Sequence, residues 1–357
     1  MPPRQLPCLA GATAVVLLSL GAAPPAHAAA QRHVVHPGES IQKAVDAAKP
    51  GDTVVVLPGT YRESVEITVS RVTLRGSGPK TVVSPPPKDS PLASANACAK
   101  GGNGICVTGT DKADVSRAAV ESLTVSGFER NGIAGSETDR MRVSDVVMRD
   151  NGYYGFSQEK STRPDLRGNI ARDNGQAGIF IANSIAHEGG AIDTKGAVIR
   201  GNRLSGNRIG VVIRRARNAT VEHNLMTGNC GGMFVVSDEN KPASGKITIR
   251  RNQVIANNKF CPKTPRLDYI QGTGILLTGA EDSVVTANRV RGNVGESPLS
   301  GGIVLFHSFV GPVNVGNSVK DNVVLGNGPV DIAHLDTGTG NTFGGNLCWV
   351  SKEAGQC

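Results

Sequence analysis

Short apolar runs, each opened by glycine, recur along the chain from residue 178 onward. Segments between them, such as 247–250, alternate apolar and polar residues with a period of two. That period is typical of strands and not of an amphipathic helix. The runs therefore predict a series of short, buried β-strands. They lie at Gly178–Ile181, Gly210–Ile213, Gly232–Val236, Gly274–Leu277 and Gly302–Phe306.

Asparagines occur in pairs whose members are five residues apart. The second members, together with Asn151, recur at intervals of 19 to 36 residues. A repeat of about 28 residues indicates a stacked architecture in which each repeat forms one coil. We expect Asn and Gly at the sharp turns, because both tolerate left-handed backbone, and ladders of Asn side chains spaced by roughly 4.8 Å. The pairs are Asn169/Asn174, Asn202/Asn207, Asn224/Asn229, Asn252/Asn257, Asn288/Asn293, Asn322/Asn327 and Asn341/Asn346.

The N-terminal segment predicts a short helix followed by a strand. Ser40 is a suitable N-cap, and the apolar residues of Ile41–Ala48 have helical spacing. Lys49–Asp52 contains proline and glycine and ends the helix, and Thr53–Leu57 is a β-branched strand. Such a unit would cover the open end of a strand stack. Further strands are predicted at Val65–Val69, Val72–Leu74 and Thr81–Val83.

A family resemblance is carried by residues 38–61 and by the later Asn/Gly-rich coils. Residues 38–61 read GESIQKAVDAAKPGDTVVVLPGTY. They resemble exported right-handed parallel β-helix proteins of the pectin-lyase-like superfamily, over nearly all of residues 34–346. The resemblance implies an all-β, right-handed parallel β-helix of about ten coils with an N-terminal capping helix. That superfamily includes pectate and alginate lyases, polygalacturonases, mannuronan epimerases and phage tailspikes, as well as members with no known reaction. No catalytic motif of theirs is matched residue by residue.

Four parts are predicted along the chain. Residues 1–28 have the features of a signal peptide, with Arg4, an apolar stretch and a small-residue cleavage site. A transmembrane segment is the alternative, but the apolar stretch is short and contains glycine and proline. Residues 29–61 would form the cap helix and first strand, 62–346 the parallel β-helix, and 347–357 a tail closed by a disulfide. A secreted, extracellular protein is expected, with no later membrane span.

The cysteine content fits export. Cys8 leaves with the signal peptide, and the even number that remains suits an oxidising compartment. The sequence does not select among the pairings that these cysteines allow. Proximity suggests Cys98–Cys106 and Cys348–Cys357, which leaves Cys230–Cys261. A metal site is the rival interpretation, but no Cys-x-x-Cys spacing occurs.

The formal charge of +8 is compatible with an acidic partner, such as a uronic-acid polymer, a teichoic acid or a nucleic acid. Ordinary solubility explains the charge equally well. Nucleic-acid binding needs basic clusters interleaved with aromatic residues, which form only 4% of the chain, so no nucleic-acid partner is expected. A polysaccharide is the expected partner, and the oligomeric state is left open.

Insertions lengthen several coils next to the glycine-led strands. Loops on a rigid scaffold often carry binding and catalytic groups, so we expect these insertions to form walls beside one lateral face of the stack. They are Ser184–Ala197, Asp238–Gly245, Lys259–Gly272, Gly295–Ser300 and His307–Gly316.

The strand ends and insertions also carry the candidate chemistry. Cleavage of an acidic polysaccharide by β-elimination needs a cation that neutralises the substrate carboxylate and a base that removes a proton. The candidate catalytic residues are Arg214, Arg215, Lys160 and His187. The candidate substrate-binding residues are Asp238, Glu239, Asp193, Lys195 and His307.

Other roles for the same side chains stay open. Asp238 and Glu239 also suit Ca²⁺, although one acidic pair assigns no metal site and no cofactor is certain. Charges at strand ends often form solvated ion pairs without function, and His307 can pack against Phe306 and Phe309. The leading hypothesis is a secreted protein that binds an extracellular, acidic polysaccharide, with its cleavage or epimerisation as a further hypothesis. The alternative is a non-catalytic carbohydrate-binding or cell-surface structural protein.

Overall fold

The computed structural model describes residue 1 and residues 30–184, 187–265 and 267–357. Apart from residue 1, the predicted signal peptide lies outside the described residues. Three sheets of parallel strands, here called sheets 1, 2 and 3, wind around one axis, and each strand pairs with its equivalents in the coils before and after it. This is the predicted all-β, right-handed parallel β-helix.

The strands of the three sheets have the following bounds. Sheet 1 contains Arg32–Val35, Thr53–Val56, Thr73–Gly76, Ala119–Glu121, Arg142–Ser144, Asp165–Arg167, Ile192–Arg200, Ala216–Glu222, Gly245–Arg250, Val284–Thr286, Ser318–Lys320 and Thr342–Gly344. Sheet 2 contains Gly59–Arg62, Thr81–Ser84, Thr124–Ser126, Val147–Arg149, Ile170–Arg172, Arg203–Ser205, Leu225–Thr227, Gln253–Ile255, Arg289–Arg291, Val323–Leu325 and Leu347–Cys348. Sheet 3 contains Val65–Ile67, Ile105–Thr108, Ile133–Ser136, Phe156–Glu159, Ala177–Ala182, Ile209–Arg214, Gly231–Val236, Thr273–Thr278, Gly301–Phe306 and Ile332–Leu335. A small separate sheet pairs Val115–Ser116 with Thr138–Asp139.

The main core fills the space inside the coils. In sheet 3, Ile179, Val211, Met233, Ile275 and Ile303 pair in consecutive coils, and all point into this core. Sheets 1 and 2 contribute similar files of Val, Ile and Leu. Parallel strands need such cover, which explains the apolar runs of the sequence.

Helix α1 (Ile41–Ala47) begins where the sequence predicts, with Ser40 Oγ accepting from the backbone N–H of Lys43. Glu63, whose role the sequence did not indicate, accepts from the backbone N–H groups of Ile41 (2.7 Å) and Gln42 (3.1 Å). A carboxylate at this position is favoured by the free N–H groups of the first helical turn. The helix packs against Arg32–Val35 and Val65–Ile67, which are the first strands of sheets 1 and 3.

Three disulfides are formed: Cys98–Cys106 and Cys348–Cys357, which proximity suggested, and Cys230–Cys261, the pair that then remained. The loop around the first disulfide contains a 3₁₀ turn (Pro91–Ser94) and helix α2 (Ala97–Lys100). None of the helices among the described residues has the length and apolar character needed to cross a bilayer.

The asparagines form two buried ladders along the edges of sheet 2, as predicted. Asn174 Nδ2 donates to Asn207 Oδ1 (2.9 Å), and Asn207 Nδ2 donates to Asn229 Oδ1 (3.1 Å). The backbone N–H of each residue also donates to the next side-chain oxygen. One ladder contains Asn169, Asn202, Asn224, Asn252, Asn288, Asn322 and Asn346; the other contains Asn151, Asn174, Asn207, Asn229, Asn257, Asn293 and Asn327.

Two details of the asparagine prediction are wrong. The left-handed residue is the one before the ladder asparagine, for example Asp173 (φ 57°), because the asparagine itself must aim its amide along the stack. Asn346 accepts from Asn322 and therefore belongs to the ladder of first pair members. Its pair with Asn341 flanks Thr342–Gly344 in sheet 1, whereas the other pairs flank strands of sheet 2.

The glycines at the second position of the sheet 3 strands from Ala177–Ala182 to Gly301–Phe306 are required by close approach between coils. A Cβ atom on Gly232 would lie 2.6 Å from the carbonyl oxygen of Gly274, and one on Gly274 would lie 2.2 Å from that of Gly302. Neither glycine has a positive φ. These positions therefore need glycine for space rather than for a left-handed turn.

Candidate functional site

A second apolar cluster covers the outward face of sheet 3. Phe180, Val212, Phe234 and Leu276 occupy equivalent positions in consecutive strands, so they form one file on this face. All four are buried in a cluster separate from the main core. Over these four strands, sheet 3 is therefore apolar on both faces.

A cavity of about 520 Å³ lies on this face, and all five predicted insertions contribute to its lining. They supply His187, Asp238, Leu267, Leu299 and Phe309, in chain order. The expectation that the insertions form walls beside one face of the stack is confirmed. Ser308 Oγ, on the last insertion, donates to the carbonyl oxygen of Ser237, the residue just before the insertion Asp238–Gly245 (3.1 Å).

Arg215 is buried at one end of the cavity, and its guanidinium is occupied by protein acceptors. Its Nε donates to Asp238 Oδ2, and its Nη1 donates to the carbonyl oxygens of Ser184 and His187. Arg215 has a positive φ of 52°, which marks the turn after strand Ile209–Arg214. The residue therefore ties the first insertion to Asp238 and to the strand end.

Arg214 is placed differently from its neighbour. It ends its strand beside Val236, lines the cavity, and leaves 23% of its side chain exposed. Within the described part of the chain it donates to one acceptor, Asp238 Oδ2, at 3.2 Å. A guanidinium has five N–H donors, so others remain for a ligand.

Tyr154 lies at the same cavity and stacks on Phe180, with ring centroids 4.5 Å apart. Burial raises the pKa of Tyr154 to about 12, although the positive charge of Arg214 acts in the opposite direction. The hydroxyl therefore keeps its proton at physiological pH and serves as a hydrogen-bond donor.

Four of the nine candidate residues line the cavity: Arg214, Arg215, His187 and Asp238. The His187 side chain is exposed, and its backbone N–H donates to Ser184 Oγ (3.0 Å). Glu239, next to Asp238, is exposed and outside the lining.

The other candidates lie elsewhere. Lys160 pairs with Glu137 (3.2 Å) and Asp111 (3.4 Å), and these hydrogen bonds raise the pKa of the lysine, which makes it a poor base. Asp193 and Lys195 belong to a sheet 1 strand, where the aspartate accepts from the backbone N–H of Lys195.

His307 adjoins the cavity without lining it. Its ring stacks on Phe306, with centroids 4.2 Å apart, and also lies near Phe309. The two residues that follow it, Ser308 and Phe309, do line the cavity. The aromatic packing considered for this histidine is present.

The residues considered for calcium form no evident metal centre. Among the described residues, no three or more His, Cys, Asp or Glu side chains are grouped as metal ligands. Asp238 accepts hydrogen bonds from Arg214 and Arg215. A metal cation would have to displace both guanidinium groups to bind this carboxylate.

The candidate residues did not include the apolar side chains on the outward face of sheet 3, which also line the cavity. The sequence indicates this outward apolar face through runs such as Gly178–Ile181, in which apolar residues are consecutive and do not alternate with polar ones. Consecutive apolar residues in a strand indicate that both of its faces are covered. The outward Phe180 could have been found in this way.

Three parallel sheets that wind around one axis, with a lateral cavity on one of them, define a right-handed parallel β-helix protein. The chain belongs to the family described as "Right handed beta helix region", whose model matches residues 60–188 and 183–310. A search of curated proteins gave no match.

Solved structures share this fold at low sequence identity. The A-module of mannuronan C-5 epimerase AlgE4 from Azotobacter vinelandii is 17% identical, with a TM-score of 0.54 over 88% of this chain and 95% of that chain. DFA-IIIase from Arthrobacter chlorophenolicus A6 is 14% identical, with a TM-score of 0.64 over 91% of this chain and 87% of that chain. At these identities the likeness concerns the fold.

Proposed function

We propose that the protein is secreted and binds an acidic segment of an extracellular polysaccharide in the cavity on sheet 3. The observation that carries this proposal is Arg214, a partly exposed guanidinium with unused donors inside a walled cavity. Arginine donates paired hydrogen bonds to carboxylates and is the side chain best suited to recognise them.

Several features support a polysaccharide ligand and export. The same fold carries a mannuronan C-5 epimerase, which is an analogy of fold and not of site. The formal charge of +8 favours an acidic partner. Three disulfides suit an oxidising compartment outside the cytoplasm.

Each residue at the charged end has a separate role in this proposal. Arg214 binds the carboxylate of the ligand, and Asp238 holds the guanidinium in place. Arg215 is a positioning residue, because it holds Asp238 and the first insertion together. Glu239 and His307, which adjoin the lining, are candidates for outer contacts. Lys160, Asp193 and Lys195 lie away from the cavity and have no role here.

Catalysis is a second candidate function. Both β-elimination and epimerisation of a uronate begin with removal of a proton beside a carboxylate that a cation has neutralised. Arg214 suits the cation, the exposed His187 suits the base, and the protonated Tyr154 suits a proton donor. The observation that favours this candidate is the presence of all three side chains around one cavity.

The test uses a panel of uronic-acid polymers and three proteins: native, Arg214→Gln and Arg203→Gln. Arg203 is an exposed arginine on sheet 2 and serves as the matched control. Loss of a charge-assisted hydrogen bond should weaken polymer binding about tenfold or more in Arg214→Gln and leave the control unchanged. Unimpaired binding by Arg214→Gln would overturn the site assignment.

The same panel separates the two functions. Ultraviolet absorbance of unsaturated products detects β-elimination, and proton exchange from solvent into the sugar detects epimerisation. Either signal supports an enzyme, whereas retained binding without a signal on any polymer supports the non-catalytic alternative.

A further inference from the structure

The polar and apolar residues of the cavity are segregated. Apart from Tyr154 and Gln176, its polar lining residues stand at or beyond the carboxyl ends of the sheet 3 strands. The middle of the strands presents aliphatic and aromatic side chains instead. The apolar part is built chiefly from Phe180, Val212, Phe234, Leu276, Leu267 and Leu299.

The apolar part is a fixed surface. Its first four residues are consecutive rungs of one file, so their spacing is set by the backbone hydrogen bonds of the sheet. Disulfide Cys230–Cys261 ties the insertion that contains Leu267 to the start of strand Gly231–Val236. A ligand therefore meets a preformed surface and need not order it.

An unsubstituted sugar ring matches only the charged end. Its hydroxyl groups need hydrogen-bond partners, and leaving such a group buried without one costs free energy. The side chains of Val212, Leu276 and Leu299 offer no partners. A hydrocarbon chain or an aromatic group, by contrast, gains from contact with such a surface.

We propose that the site recognises an acidic saccharide that carries an apolar substituent, such as an acyl or alkyl chain. The anionic group binds Arg214, and the substituent lies against Leu267 and Val212, which is the most exposed residue of the file. A volume of about 520 Å³ is typical of sites for ligands of this combined size. This inference rests on the proposed function and specifies the ligand of the same cavity.

Alkyl β-D-glucuronides with butyl, hexyl and octyl chains test the inference by calorimetry, below their critical micelle concentrations. Affinity should rise about fourfold for each added methylene that reaches the apolar surface. Octyl glucoside has the same chain without the charge and should bind at least tenfold more weakly than octyl glucuronide. Affinity that is independent of chain length, or equal for the glucoside, would overturn the inference.

Val212→Thr tests where the alkyl chain of the ligand binds. It places a hydroxyl on the apolar surface with little change in side-chain shape. It should lower the affinity for octyl glucuronide about fivefold to tenfold and reduce the rise in affinity from the butyl to the octyl glucuronide. Val55→Thr, at a valine of sheet 1 that is about as buried as Val212 and lies outside the cavity lining, is the matched control. Leu267→Ala, at a partly exposed lining residue on an insertion outside the sheets, should show the same loss if Val212→Thr folds poorly.

The two proposals fail in different ways. If the uronate polymers bind but affinity does not rise with chain length, only the inference about the apolar substituent fails. If neither the polymers nor butyl glucuronide bind, the proposed function itself fails.

Discussion

At the scale of single residues, each ladder asparagine is satisfied by the coils on either side of it. Asn207 Oδ1 accepts from the backbone N–H (3.0 Å) and the side chain (2.9 Å) of Asn174. Its Nδ2 donates to Asn229 Oδ1 (3.1 Å) and to the carbonyl oxygen of Ala171 (2.9 Å). The residue is fully buried, so water cannot replace any of these partners.

Asn207→Ala should therefore lower the free energy of unfolding by about 3 kcal/mol, because it leaves several buried polar groups without partners. Denaturant unfolding followed by circular dichroism measures the change. Gln253→Ala removes an exposed amide from a nearby strand of sheet 2 and should stay within about 0.5 kcal/mol of the native protein. Equal effects of the two substitutions would contradict the ladder's role.

Asp52 supplies a pH dependence near the N-terminal end. Its carboxylate accepts from the backbone N–H of Lys49 (2.8 Å), from His33 (3.0 Å) and from the backbone N–H of Gln31 (2.7 Å). These hydrogen bonds lower the pKa of Asp52 from 3.8 to about 2. A lowered pKa stabilises the fold above pH 3.8, and this contribution is lost as the pH falls towards 2.

The native protein should consequently lose more stability than Asp52→Asn between about pH 5 and pH 2. Unfolding midpoints measured across this window give the comparison. Parallel pH profiles for the two proteins would show that the carboxylate does not contribute in this way.

The sequence predicted part of the charged site because strand ends and insertions are readable from spacing. Side-chain direction is not readable in this way. Lys160 follows a sheet 3 strand just as Arg215 does, and both have positive φ. Lys160 nevertheless turns to Glu137, because a carboxylate in the preceding coil is available there.

At the scale of elements, the insertions are held by contacts that do not belong to the coil repeat. Disulfide Cys230–Cys261 is the covalent example, since it joins the insertion Lys259–Gly272 to the edge of sheet 3. Fixing a loop in its binding conformation before the ligand arrives reduces the entropic cost of binding.

Replacing both Cys230 and Cys261 by alanine should weaken binding of a uronic-acid polymer about tenfold, because the insertion that forms this cavity wall loses its fixed position. The sheets should persist, as judged by circular dichroism. The matching replacement of Cys348 and Cys357, in the C-terminal tail, should leave the affinity unchanged. A loss of affinity in the second variant, or none in the first, would contradict the role of the wall.

The elements were predicted where the pattern was strong and missed where it was not. Helix α1 and the strand Thr53–Val56 follow from capping and β-branched residues. Strand Arg32–Val35 was missed because it begins with two polar residues and is held by pairing with the next strand. The pair Asn341/Asn346 was expected to match the earlier pairs, but it flanks a strand of sheet 1. Asparagine occupies the corners beside both sheet 1 and sheet 2, so the sequence does not distinguish them.

At the scale of the whole molecule, the repeat determines the fold and the insertions differentiate one face. The period of the asparagines was sufficient to predict a stack of coils, because each coil repeats the same hydrogen bonds. The apolar half of the cavity was not predicted. A strand of consecutive apolar residues has the same sequence pattern whether its outward face is covered by a loop or by a bound ligand. The function of the cavity depends on the shape that the five insertions form together.

A crystal structure with an acidic oligosaccharide bound would show whether Arg214 and the cavity on sheet 3 form the binding site. A carboxylate of the ligand should lie within hydrogen-bond distance of Arg214, and the ligand should occupy the cavity on sheet 3. A ligand bound instead to the outer face of sheet 1 or sheet 2, with Arg214 uninvolved, would contradict this assignment.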